Sequence, residues 1–123
     1  MSFNAFAEEE AWFCSPEYNA GLYFDESSQS WSSVSFDIDR ETVKQTGTKL
    51  EFAENGLFEG LNINNNCYEA ILIDEAIISC SDKTQMFNLN PKSGVATSGN
   101  IFGPLNSKFN DTPVVIIWKC ESF

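Results

Sequence analysis

Short runs of alternating apolar and polar residues recur along the chain, whereas long helical stripes of apolar residues do not. A period of two is typical of β-strands that bury one face. The pattern predicts strands over 11–14, 21–25, 31–38, 41–45, 49–53, 57–63, 67–72, 76–80, 85–89, 95–102 and 114–120. The last of them is apolar or β-branched at nearly every position, as expected of a strand buried on both faces.

Turn signals separate these runs. Examples are Thr46-Gly47-Thr48, Glu54-Asn55-Gly56 and Asn90-Pro91-Lys92-Ser93-Gly94, since Gly and Asn accept positive φ at little cost. Turns at intervals of about eight to twelve residues, without a crossover helix, favour an all-β fold. We therefore expect an antiparallel sandwich or small barrel of about eight to ten short strands.

The segment 67–80 allows two interpretations. Its centre, 68–76, contains good helix formers and would support one short helix. As a hairpin, it would turn near Ile73-Asp74 and pair Glu69 with Ile78 and Ile71 with Ala76.

The N-terminal residues resemble the end of an export signal. Ala5-Phe6-Ala7 is a small-x-small triplet, and it precedes the acidic run Glu8-Glu9-Glu10. Signal peptidases cut at such triplets. We therefore expect residues 1–7 to be a residual signal-peptide tail, residues 8–123 to form a single disulfide-bonded β domain, and the protein to be periplasmic or secreted.

The chain contains four cysteines. In an oxidising compartment, an even number of cysteines in a chain of this size predicts two disulfides. Three connectivities are possible. We favour the nested pattern, with Cys67 bonded to Cys80 across the hairpin and Cys14 bonded to Cys120 between the first and last strands. The other two patterns cross distant segments without a local reason.

The charge balance is strongly acidic. Eighteen acidic residues against seven basic ones give a formal net charge of -11. Such a field repels phosphate backbones and anionic membranes, so nucleic acid and membrane binding are disfavoured and a cationic protein partner is favoured. The simpler alternative is that the acidity maintains solubility.

The sequence contains no histidine. This excludes Ser-His and Cys-His nucleophiles and removes the commonest general base and zinc ligand. No glycine-rich phosphate loop is present either. A carboxylate pair for glycoside hydrolysis is available to any acidic protein and is therefore a weak signal. We predict no catalytic residues and no cofactor.

Three carboxylates form a weak calcium candidate. On a strand, Asp37, Asp39 and Glu41 would lie on one face and could offer oxygen ligands to the ion. A solvated strand face is the alternative, and we predict no metal site.

Three aromatic residues are candidates for binding. Tyr18, Tyr23 and Trp31 fall near predicted turns, where an exposed ring can stack on a sugar or anchor a protein partner. In a small β domain, the alternative is that each ring belongs to the core.

A resemblance can be added to this pattern. The order of cysteines and aromatic segments resembles that of small exported four-cysteine proteins of proteobacteria and phages, a group with no established function. The matching segments are Cys14, Gly21-Leu22-Tyr23-Phe24-Asp25, Trp31, Cys67, Cys80, Phe87-Asn88-Leu89-Asn90 and Asn110-Asp111-Thr112-Pro113-Val114-Val115-Ile116 with Cys120. The resemblance implies export and one domain, and it assigns no site.

Three functions fit these observations. The first is an exported, non-enzymatic binding module that engages a basic protein as an inhibitor or immunity-type protein. The second is a barrel that carries a small apolar ligand, and the third is a sugar-binding module that uses exposed aromatic rings.

Overall fold

The fold was determined from a computed structural model that describes residues 9–64, 66–100 and 113–123. These residues contain nine strands and one short helix, and 61% of them lie in strands. The strands are β1 (Glu10–Asp25), β2 (Ser30–Val34), β3 (Glu41–Thr46), β4 (Lys49–Phe52), β5 (Cys67–Leu72), β6 (Glu75–Ser81), β7 (Met86–Leu89), β8 (Val95–Gly99) and β9 (Val114–Ser122), and the helix is α1 (Glu59–Asn64).

All the strands belong to one antiparallel sheet, in the order β4-β3-β1-β9-β8-β7-β6-β5, with β2 paired to β1 beside this path. The sheet curls into a nearly closed barrel. Where its two ends approach each other, Sγ of Cys67 on β5 lies 4.0 Å from the carbonyl oxygen of Leu50 on β4. The all-β prediction is confirmed, and of its two forms the barrel is observed.

Both predicted disulfides are present. Cys14 on β1 and Cys120 on β9 lie directly opposite each other and are bonded. Cys67 and Cys80 are opposed and bonded in the same way across β5 and β6. The segment 67–80 is therefore the hairpin, with the predicted pairs of Glu69 with Ile78 and Ile71 with Ala76.

Aromatic side chains fill the interior of the barrel. The ring of Phe58 lies 5.0 Å from that of Phe87 and 5.9 Å from that of Trp118, and all three are buried. The indole N–H of Trp118 donates to Oγ of Ser98 at 2.9 Å. Because a buried polar group without a partner is costly, this hydrogen bond allows a tryptophan to occupy the core.

The helix replaces a predicted strand. The expectation of a strand over 57–63 was wrong, because α1 occupies Glu59–Asn64. Phe58 and Leu61, three positions apart, are both buried, as on one face of a helix. The side-chain amide of Asn62 accepts from the backbone N–H of Phe52 and donates to its carbonyl oxygen, both at 2.8 Å. The backbone groups at the edge of β4 are thus hydrogen-bonded to a side chain instead of another strand.

The third predicted strand is shorter than expected. It was predicted over 31–38, whereas β2 ends at Val34. The side chain of Asn19 accepts from the backbone N–H of Phe36 at 2.6 Å and donates to its carbonyl oxygen at 2.9 Å. This amide takes the place of a neighbouring strand. The ranges 11–14 and 21–25, predicted as two strands, belong to the single strand β1.

A β-bulge at Glu17 changes the direction of the side chains along β1. The register with β9 shifts between Pro16 and Tyr18. One extra residue moves all following side chains to the opposite face of a sheet. Before the bulge, Cys14 is buried; after it, Gly21 is buried and Tyr18 is exposed.

Gly21 occupies an inward position without room for a side chain. A methyl group there would lie 2.7 Å from the Phe36 ring and 2.9 Å from the carbonyl oxygen of Pro113. We expect Gly21→Ala to lower the free energy of unfolding by about 1–3 kcal/mol, as overpacking does. Gly99→Ala is the control, since its methyl group would meet no atom closer than 3.4 Å. Chemical denaturation measures both, and equal effects would contradict the assignment.

The two disulfides should differ in their contribution to stability. Cys14 and Cys120 are 106 residues apart, and Cys67 and Cys80 are 13 apart. In the chain-entropy model, the longer loop stabilises by about 4–5 kcal/mol and the shorter by about 3 kcal/mol. Replacing each pair with alanine and measuring urea unfolding tests this order. A larger loss of stability on replacing the Cys67–Cys80 pair would contradict this order. It would show that native-state strain or residual structure in the unfolded chain outweighs the loop entropy.

The disulfides are compatible with an oxidising, extracytoplasmic location. Across the described ranges, no helix is long and apolar enough to cross a bilayer. The predicted signal-peptide tail, residues 1–7, lies outside the described residues.

Candidate functional site

An apolar surface lies on the outside of the barrel, on β1, β2 and β9. Tyr18 lies directly opposite Ile117, and Phe24 lies opposite Trp31 with the two rings 5.1 Å apart. Tyr18 is 65% exposed and Trp31 is 45% exposed. We call this set the apolar outer face: Tyr18, Leu22 and Phe24 of β1, Trp31 of β2, and Val115 and Ile117 of β9.

The last strand contributes to this surface in an unexpected way. The expectation that it would be buried on both faces was wrong: Ile116 and Trp118 are buried, whereas Val115 and Ile117 are exposed. The apolar sequence of β9 therefore exceeds what the barrel core requires. Its outward residues therefore leave apolar surface exposed on the outside of the barrel.

The apolar outer face is free of charge in a highly charged protein. Residues 18–24, β2 (Ser30–Val34) and residues 114–118 contain no charged residue, although 20% of the whole chain is charged. Exposed carboxylates flank the surface, with Glu17 at the bulge and Glu26 in the β1–β2 turn. An uncharged centre with a charged periphery is the usual composition of a protein interface.

Asp25 adds a fixed negative charge at the end of β1. The side-chain hydroxyl of Ser27 donates to Oδ1 of Asp25 at 2.7 Å, and its backbone N–H donates to the same oxygen at 3.0 Å. These two hydrogen bonds lower the pKa of the Asp25 carboxyl below its ordinary value.

The three predicted binding aromatics do not share one surface. Tyr18 and Trp31 belong to the apolar outer face. Tyr23 lies opposite Ser32, and because side chains alternate along a strand, it points to the other side of the β1–β2 ribbon from Phe24. Leu22, Phe24, Val115 and Ile117 were not predicted as binding residues. Val115 and Ile117 could have been predicted, because the last strand is also apolar at the alternate positions that do not face the core.

The calcium candidates lie in a loop and at the start of a strand. Residues 35–40 are not in a strand, so the expected alignment of Asp37, Asp39 and Glu41 along one strand face is not formed. Asp37 and Asp39 are exposed, whereas Glu41 is buried and its Oε1 accepts from the backbone N–H of Leu57 at 2.9 Å. All three line an open cavity of about 450 Å³. The described part of the chain contains no His, Cys, Asp or Glu cluster arranged to hold a metal.

A second cavity is largely apolar. It has a volume of about 320 Å³, which is near the lower limit for small-molecule sites. Phe36, Ile38, Leu57 and Ile116 are among its lining residues, together with polar groups that include Asn100.

The β5–β6 hairpin extends beyond the body of the sheet. β6 is paired with β5 from Glu75 onward, but it is paired with β7 only from Ile78 onward. Ile71, Leu72 and Ile73 are exposed by 66%, 62% and 88%. Three consecutive exposed aliphatic residues are unusual in a soluble domain unless they serve a function.

The turn of this hairpin contains a strained residue. Ile73 has φ 59°, a conformation in which a β-branched residue is a genuine outlier. Glycine is the usual residue at the first position of a two-residue turn of this kind. Strain at a surface turn is often associated with a binding function.

We expect Ile73→Gly to raise the free energy of unfolding by about 1 kcal/mol, because glycine removes the backbone strain and loses only an exposed side chain. Ile73→Ala is the matched control, since it removes the same side chain and keeps a Cβ at positive φ. Urea unfolding of both variants provides the measurement. Equal stability of the glycine and alanine variants would contradict the strained turn.

No family model, curated protein or solved structure matches this chain. The resemblance to small exported four-cysteine proteins therefore stays a prediction.

Proposed function

We propose that this protein is an exported, non-enzymatic binding module whose apolar outer face docks onto a basic protein, in the manner of an inhibitor or immunity-type protein. The observation that supports it is the uncharged surface around Tyr18 and Trp31, which carboxylates flank on a strongly acidic domain. Export to the periplasm or the medium is part of the proposal and agrees with the disulfides.

The residue types of the apolar outer face suit a protein partner. Tryptophan and tyrosine supply most of the binding energy in many interfaces, especially where a ring is surrounded by other apolar groups. Trp31 has Phe24 beside it at 5.1 Å between ring centroids, and Tyr18 has Ile117 directly opposite. Phe24 restricts the ring of Trp31 before a partner arrives, which reduces the entropy lost on binding.

The electrostatic field selects the partner's charge. The formal net charge is -11, with Glu17 and Glu26 at the margins of the apolar outer face and Asp25 on the Tyr23 side of the β1–β2 ribbon. Lys119, beyond Ile117 on β9, is the cation closest in sequence to this part of the strand. Carboxylates around an uncharged centre accelerate encounter with a cationic surface and repel an anionic one.

A carrier of a small apolar molecule is the second candidate, and the cavity of about 320 Å³ favours it. The aromatic cluster of Phe58, Phe87 and Trp118 occupies the barrel interior, where a typical carrier binds its ligand. We therefore place this candidate after the protein-binding module.

The test begins with capture of proteins from periplasmic extract or culture medium on the immobilised full chain at low salt. The affinity of each identified protein is then measured for the wild type and for single variants. Tyr18→Ala and Trp31→Ala should each weaken binding by about tenfold or more, as interface aromatics do. Tyr23→Ala is the matched control because its ring lies on the other side of the ribbon, and it should leave the affinity within about twofold.

Salt provides an independent readout. Screening shortens the range of the field from about 10 Å at 0.1 M to about 3 Å at 1 M, so the association rate with a basic protein should fall steeply between these concentrations. A salt-independent affinity would contradict the basic partner and favour an apolar or sugar ligand. Equal losses from Tyr23→Ala and Trp31→Ala would contradict the apolar outer face.

A further inference from the structure

The tip of the β5–β6 hairpin has the features of a second, separate binding element. The hairpin tip consists of Ile71, Leu72, Ile73 and Asp74, and its aliphatic side chains are the longest run of exposed apolar residues in the described part of the chain. It lies at the opposite end of the barrel from the β1–β2 turn. The register along β9 shows this. Gly21, near the β1–β2 turn, pairs with Val114 at the start of β9. Val95, which follows the β7–β8 turn, pairs with Lys119 towards the end of β9.

The base of the hairpin is held rigidly. The Cys67–Cys80 disulfide joins its two strands where they enter the barrel. Farther out, the amide of Asn90 donates to Oε2 of Glu75 at 3.2 Å, and Nζ of Lys92 lies 3.9 Å from Oε1. The β7–β8 turn therefore supports β6 near the tip. A rigid element loses little conformational entropy when it binds.

The tip combines apolar side chains with negative charge. Asp74 follows Ile73 directly, and Glu69 is exposed on the adjoining strand. Lys92 already contacts Glu75, so the carboxylates of Asp74 and Glu69 determine the local sign of the charge. A partner must therefore offer apolar surface to the aliphatic side chains and positive charge around it. An anionic membrane is disfavoured by the same charges.

We propose that the hairpin tip inserts into an apolar cleft rimmed by lysine or arginine residues on a partner protein. The left-handed conformation of Ile73 supports this assignment. A β-branched residue at such a turn costs stability, and its side chain is 88% exposed, so it gains almost nothing from packing within the folded chain. Burial of the Ile73 side chain in a partner supplies the packing energy that it lacks within the folded chain. This element works independently of the apolar outer face.

Photo-crosslinking tests the insertion directly. Ile73→p-benzoylphenylalanine is introduced into the full chain, which is irradiated in periplasmic extract or culture medium, and the crosslinked peptide is mapped on the partner. Thr42→p-benzoylphenylalanine is the control, because Thr42 is an exposed, uncharged residue on β3. Attachment from position 73 to apolar residues flanked by lysine or arginine is the expected result. Attachment to lipid, attachment to a surface without basic residues, or a yield no higher than from position 42 would overturn the proposal.

Affinity measurements with the crosslinked protein separate the effect of the Ile73 side chain from the effect of the backbone strain. Ile73→Ala and Ile73→Gly should both weaken binding by about tenfold or more, although only the glycine variant relieves the strain. Asp74→Asn should weaken binding at low salt and have little effect at high salt. Wild-type affinity in both Ile73 variants would overturn the proposal. Trp31→Ala should leave this affinity unchanged, which distinguishes failure at the hairpin from failure at the apolar outer face.

Discussion

The pairing of β1 with β9 is the constraint on which the rest of the structure depends. These strands come from the two ends of the described chain, yet they lie side by side in the middle of the sheet order, and Cys14–Cys120 joins them covalently. The bulge at Glu17 divides β1 into two parts. One part directs Trp12 and Cys14 into the core, and the other turns Tyr18 outward. The same pairing therefore joins the two halves of the sheet and creates the candidate binding surface.

The sequence predicted those features that arise from local patterns. Alternating residues and turn glycines predicted most strands, and the nested cysteine pairs followed from the hairpin at 67–80. The helix α1 was missed because the apolar spacing of residues 57–63 fits a strand as well as one helical turn. The sequence left open whether Tyr18 is exposed or buried, since its direction depends on a bulge and hence on the register with β9, about a hundred residues away. The separation of Tyr23 from Trp31 depends on the register of β1 with β2, which places Phe24 opposite Trp31.

Two separate surfaces, one on the outside of the barrel and one at the hairpin tip, suit a protein that recognises other proteins. The apolar outer face is broad and aromatic, whereas the hairpin tip is narrow and aliphatic, and carboxylates accompany both. Acidity therefore has a role beyond solubility in our proposal, because it selects cationic partners for each surface. The strain at Ile73 indicates a loss of stability that a purely structural turn would avoid.

Cross-strand contacts between β1 and β9 test the central claim most directly. A two-dimensional nuclear Overhauser spectrum of the oxidised protein reports which α-protons face each other in an antiparallel sheet. The bulge at Glu17 predicts contacts that follow the register of Tyr18 with Ile117 and Ala20 with Val115. A register that places Tyr18 opposite Ile116 would mean that β1 runs without a bulge. The aromatic ring of Tyr18 would then point into the barrel, and the apolar outer face would not exist.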